Sequence, residues 1–123
     1  MDNINKVIGA LKSNRFHVWF ANDKAEAERI FWEEIFYVAN PKVVAWGDSL
    51  TLHLLKIIPR IKEMEDVELI ETFGKDLTWR EQIYNRKKAL SSDMFLTGTN
   101  AVTVKGQLVN VDMIGNRVAG IAF

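Results

Sequence analysis

The chain has no cysteine among its 123 residues. Disulfides, thiolate zinc sites and iron–sulfur clusters held by the protein itself are excluded, and the usage suits a reducing, cytoplasmic compartment. Histidine is almost as scarce, with only His17 and His53, far apart and in different elements. A metal site would need both brought together with carboxylates, so the spacing favours one partly buried and one exposed histidine, with no metal or cofactor. Charge of one sign is also lacking, since 16 basic residues balance 16 acidic ones. Balanced charge leaves no electrostatic footprint for nucleic acid or an anionic membrane, and neither is expected as a partner. No apolar run reaches the roughly eighteen residues that a membrane-spanning helix needs. The opening MDNINKVIGALKSN lacks the charged-then-apolar layout of an export signal, which again points to the cytoplasm. Without repeats or low-complexity linkers, residues 1–123 read as a single domain of ordinary globular composition.

The densest signal is residues 93–123. Met94, Phe95 and Leu96 form a short apolar run with the character of a buried strand. Thr97-Gly98-Thr99-Asn100 follows where the chain leaves it. Two β-rich segments, 101–104 and 107–111, are split by Lys105-Gly106, a pair suited to a tight hairpin turn because glycine accepts positive φ. Asp112, Gly115, Asn116 and Arg117 come next, and residues 118–123 are apolar. So many hydroxyl, amide and charged groups beside apolar strands suggest a ligand surface, although each is also a common turn residue.

Upstream, Ile4, Val7, Ile8 and Leu11 carry the spacing of an amphipathic helix. Residues 16–20 (FHVWF) read as a strand. Asp23 and Glu26 have capping-box spacing before a helix over 24–39, whose predicted core face is Ala27, Ile30, Phe31 and Ile35. Trp32, Phe36 and Tyr37 lie partly outside that face, either widening it or forming a subunit contact. After Asn40-Pro41, the run VVAW at 43–46 reads as a strand covered on both faces. Gly47-Asp48-Ser49 then leads into helical residues 51–58, an arrangement that can present free backbone N–H groups to an anion. Asp48 counts against that use, because it can cap the helix with its own carboxylate. Pro59 ends or bends the helix, 60–66 is a charged connection, and 67–72 (VELIET) a strand. Thr78 and Glu81 form a capping box for a helix to about residue 90. Arg80, Arg86, Lys87 and Lys88 on it read as a solvated face, lacking aromatic interleaving.

Strands alternating with helices at this spacing predict an α/β three-layer sandwich with a mainly parallel sheet. In such sheets ligands lie beyond the carboxyl ends of the strands. The turns 47–51 and 97–100 both follow apolar strands, so both should open on one rim.

These two stretches also carry a resemblance. Trp46, Gly47, Ser49, Thr51 and Leu52 match a W-G-G-S-x-T-L segment. Residues 97–103 with Gly106, Leu108, Val109, Asn110, Asp112 and 115–119 match L-T-G-T-N-A-[IV]-T followed by G-x-L-V-N-x-D-x-x-G-N-R-V-A. Both are features of the LUD domain, the lactate-utilisation family, which the chain resembles over nearly its whole length. Asp48 departs from the pattern, standing where the family has a second glycine. The resemblance implies a fold like that of ribose-phosphate isomerases and CoA transferases, and a role in bacterial lactate oxidation to pyruvate beside separate iron–sulfur partner proteins. Lacking cysteine, this chain would serve assembly, substrate presentation or regulation, not electron transfer.

The implied ligand-binding set is Gly47, Ser49, Thr51, Thr97, Gly98, Thr99, Asn100, Asn110, Asn116 and Arg117, for a small carboxylate or phosphate. Thr97, Thr99 and Asn100 would hydrogen-bond a carboxylate, Arg117 would pair with it, and Asp112 would orient Arg117 or polarise a hydroxyl. Family members continue with a further strand after the segment matching 118–123, so the domain reads as C-terminally short. An uncovered sheet edge then predicts a homo-oligomer. Two other functions stay open. One is an isomerase-like or transferase-like enzyme acting on sugar phosphates or acyl-CoA, for which Asp112 and Glu71 are the candidate catalytic carboxylates. The other is a structural, oligomerising domain in which Asn110, Asp112, Asn116 and Arg117 brace the fold.

Overall fold

The computed structural model describes residues 2–123. Its centre is β1 (Val43–Trp46), flanked by β2 (Glu68–Leu69) and β3 (Met94–Leu96) in a three-stranded sheet. Both neighbours run parallel to β1, with Val44 opposite Leu69 on one side and Met94 on the other. An apolar run belongs here, because the middle strand of a parallel sheet is covered on both faces. Alternation along the strand divides its side chains between two cores. Val44 and Trp46 join Trp32, Phe36, Leu52, Ile57, Ile58 and Ile61, while Ala45 joins Ile70 and Ala89, with Val43 and Phe95 packed against them. The sheet and the helices on both its faces make the α/β architecture that the alternating pattern predicts.

The first core is closed by a π-helical segment Ile30–Phe36, continuous with α2 (Lys24–Arg29) before it and α3 (Tyr37–Ala39) after it, and by α4 (Leu50–Leu54) and α5 (Ile57–Lys62). The second is closed by α6 (Trp79–Lys88) with its 3-10 extension Ala89–Ser91, and by α7 (Asn116–Ala122). Helix α1 (Asp2–Ser13) lies apart and rests on the hairpin of β4 (Ala101–Val102) and β5 (Leu108–Val109). Asn14 Nδ2 donates to the carbonyls of Lys105 and Gly106 at 3.2 Å, and a methyl at Gly106 would sit 2.8 Å from the Ala10 carbonyl carbon. The hairpin loop takes three residues instead of the predicted two. Thr103 N–H donates to Gln107, Gly106 N–H donates back to Thr103, and Gly106 has φ +73°.

Four local expectations are corrected. Residues 16–20 form no strand. Helix α1 ends in a Schellman turn, with Arg15 left-handed and Phe16 N–H donating to Leu11, which folds the segment back along α1. Val18, Trp19 and Phe20 line a groove with Ile4, Val7, Ile8 and Leu11, so strand propensity met a helix face, not a strand edge. Second, the face predicted for residues 24–39 is rotated: Ile30, Trp32 and Phe36 are buried, and Phe31 and Ile35 only partly. The π segment inserts an extra residue per turn, with Tyr37 N–H reaching Trp32, so a 3.6-residue stripe cannot describe it. Trp32 is core, with Arg60 stacked 4.1 Å from its ring centre. Third, Lys56 in the left-handed region separates α4 from α5, and Pro59 falls in the first turn of α5, where a missing N–H is tolerated. Fourth, only Glu68–Leu69 of the predicted strand at 67–72 pairs in the sheet.

Candidate functional site

Gly47 continues β1 by one bond, its N–H donating to Leu96 at 2.8 Å. The chain then leaves β1 and β3 side by side at their carboxyl ends, and the two turns interlock. A methyl at Gly98 would sit 2.8 Å from the buried Ser49 Oγ. A methyl at Gly47 would collide with Arg117 Cγ and lie 2.9 Å from Thr97 Oγ1. These glycines therefore admit neighbours, and the neighbour admitted at Gly47 is the stem of Arg117.

Arg117 is held on three sides. Its Nε donates to Asp112 Oδ1 at 2.6 Å, and its Nη2 donates to Asn100 Oδ1 at 3.1 Å and the Val111 carbonyl at 2.9 Å. Asn100 Oδ1 also accepts from Val111 N–H, which ties the start of the hairpin to its end. The second Asp112 oxygen accepts from Val118 N–H at 2.7 Å, inside the first turn of α7. Glycine at 115, with φ +81°, turns the chain so that a carboxylate six residues earlier reaches that turn. The Asp112 side chain is 5% exposed and that of Arg117 17%. Burial works to raise the Asp112 pKa, but the Val118 N–H and the Arg117 guanidinium outweigh it, so the carboxyl titrates below its ordinary value. Each Asp112 oxygen thus accepts one hydrogen bond, which ties Arg117 to the first turn of α7.

In front of this brace lies a cavity of about 310 Å³, lined by Asp48, Phe73, Trp79, Arg86, Met113, Ile114, Asn116 and Arg117. It sits beyond the carboxyl ends of the strands, on the rim predicted from topology. Of the sequence-predicted residues, Asn116 and Arg117 line it, and Gly47, Ser49, Thr97 and Gly98 form the interlocked turns beside Arg117. Thr99 Oγ1 bonds the Val109 carbonyl at 3.1 Å within the hairpin, Asn110 Oδ1 is buried without a partner, and Thr51 is exposed on α4. The Glu71 carboxylate pairs with Lys62 at 2.6 Å, away from the cavity. Asp48 does not cap α4. Ser49 takes the N-cap position without a side-chain bond, and the Asp48 carboxylate lies 2.7 Å from His53 Nε2, a partner one turn along that competes for it. Helix α4 itself runs for five residues.

The residue that sequence reasoning set aside is Arg86. It is partly buried, its Nε has no hydrogen-bond partner, and its guanidinium carbon lies 5.0 Å from the Phe73 ring centre and 5.6 Å from that of Trp79. Trp79 and Arg86 stand seven residues apart on α6, hence on one helix face, and that spacing was a usable signal. Among the described residues no carboxylate pairs with Arg86, and no group of three or more His, Asp and Glu is placed to hold a metal ion. No helix among the described residues is long and apolar enough to cross a membrane.

A parallel three-stranded sheet with helices on both its faces defines an α/β class of domain. Within it, the chain belongs to the LUD domain family, whose model matches residues 4–123, a family associated with lactate utilisation. No curated protein and no solved structure matches the chain.

Proposed function

We propose that this LUD-family chain is a non-redox accessory subunit of bacterial lactate utilisation, working in the cytoplasm beside iron–sulfur proteins that oxidise lactate to pyruvate. Its rim pocket receives an organic acid. The observation that carries this reading is the pairing of two guanidinium groups, Arg86 and Arg117, in one cavity with an apolar wall. The absence of cysteine supports a part in assembly, presentation or regulation, with clusters supplied by partners.

The test is a thermal-shift panel with lactate, pyruvate, hydrophobic monocarboxylates, sugar phosphates and acyl-CoA. A ligand that binds only the folded chain, at a hundred times its dissociation constant, adds about 2.7 kcal/mol. Stabilisation by organic acids alone supports the reading; stabilisation by sugar phosphates or acyl-CoA alone overturns it.

A second reading, a domain that works by association, is favoured by the apolar side chains exposed around α1 and the hairpin: Phe16, Trp19, Phe20, Val104 and Val111. A homo-oligomer burying them is expected in light scattering at high concentration, and a monomer there contradicts it.

A further inference from the structure

We propose that the rim pocket selects a monocarboxylate bearing an apolar body of about benzyl size, and that Arg86, not Arg117, receives its carboxylate. The inference rests on the organic-acid reading above and deepens it.

Charge within the pocket is already partly spoken for. Arg117 faces Asp112 at 2.6 Å and gives its remaining Nη2 donors to Asn100 and Val111. Asp48, the only acidic residue lining the cavity among the described residues, lies against His53. Of the three charged residues lining the pocket, Arg86 is the one left with no counter-charge among the described residues, and its buried Nε–H bonds nothing. An unpaired donor on a partly desolvated cation is costly, and Arg86 makes no hydrogen bond or ion pair among the described residues that would hold its terminal amines back from a ligand carboxylate. Its planar fork suits both oxygens of a carboxylate, and Phe73 and Trp79 hold the guanidinium plane in place.

The rest of the lining argues for an apolar body. Trp79, Ile114 and Met113 are 59%, 41% and 92% exposed, and all three line this one cavity. Large apolar side chains left uncovered around an unpaired cation describe the complement of an amphipathic monoanion. The volume also fits: about 310 Å³ lies at the small end of pockets that hold drug-sized ligands, and a three-carbon acid would leave most of it to water. Arg86 and Ile114 also line an adjoining apolar groove between α6 and α7, with Ile83, Leu90 and Ala119, so the wall continues outward from the guanidinium.

The test titrates the full chain with 3-phenyllactate, L-lactate, pyruvate and the neutral 3-phenylpropan-1-ol, following tryptophan fluorescence and melting temperature. The expected order puts 3-phenyllactate at least ~30-fold tighter than L-lactate, from burial of the benzyl group, with no binding of the alcohol. Arg86→Gln should weaken 3-phenyllactate by ~10-fold or more. Should that variant not fold, Met113→Glu, at a position open to solvent, should also weaken it several-fold by setting a negative charge beside the carboxylate. Unchanged binding in the folded Arg86→Gln or in Met113→Glu overturns the assignment while leaving an organic-acid site. L-lactate binding as tightly as 3-phenyllactate overturns the apolar-body claim alone. No acid bound by the wild type overturns both this inference and the reading beneath it.

Discussion

Replacing Asp112 with Asn keeps the shape of the side chain and removes its charge. The wild-type carboxylate satisfies two donors, Arg117 Nε and Val118 N–H, at 2.6 and 2.7 Å. An amide has one acceptor oxygen, and its NH₂ would face a guanidinium that is only 17% exposed. Removing one partner of a buried ion pair costs about 3–5 kcal/mol. The lower end applies, because Arg117 keeps its bonds to Asn100 and Val111. A loss of about 3 kcal/mol is a large part of a domain's stability and corresponds to a fall in melting temperature on the order of 10 °C. The effect has a pH signature. Asp112 titrates below its ordinary value near 3.8 in the folded chain. Its contribution is therefore present above the unfolded pKa and fades as pH falls through the folded one. Urea titrations of wild type and Asp112→Asn should differ most at neutral pH and converge in acid. A difference below about 1 kcal/mol at pH 7, or one that persists undiminished in acid, would refute the argument that this pair braces the rim.

Three further outcomes follow from the packing. Gly47→Ala forces a methyl into Arg117 Cγ and should cost about 1–3 kcal/mol in urea unfolding, with loss of any acid binding. Gly106→Ala and Gly115→Ala should separate, since both glycines have positive φ but only the first faces backbone, that of Ala10 and Leu11. Gly115→Ala should cost about 1–2 kcal/mol from backbone strain alone, and Gly106→Ala more, with faster hydrogen exchange in α1. Trp32→Glu should abolish folding as judged by circular dichroism, because Trp32 is buried in the main core; a folded variant would return it to the surface.

Much of this molecule was legible where local rules and tertiary demand coincide. The run VVAW could only be a doubly covered strand, and it is the middle one. Thr78 and Glu81 close a capping box with both arms formed, a signal that needs no long-range partner. Rim turns at 47–51 and 97–100 converge because parallel neighbours end on the same side. What escaped depended on packing. FHVWF lies on its own helix because Arg15 turns the chain back, and the π segment shifts which aromatics are buried. That Asp112 would meet both Arg117 and the start of α7 could not be read from sequence, which does not say which donors a carboxylate will find. Arg86 looked like one cation on a solvated helix because Phe73, thirteen residues earlier, meets it only in the fold.

The proposed division of labour on the rim has Arg117 bracing and Arg86 receiving. Side-chain Nε–H resonances of the two arginines, followed by ¹⁵N NMR while 3-phenyllactate is added, address it directly. The Arg86 signal should move and saturate with the ligand, while the Arg117 signal, locked to Asp112, should stay in place. Movement of Arg117 with Arg86 unmoved would contradict it.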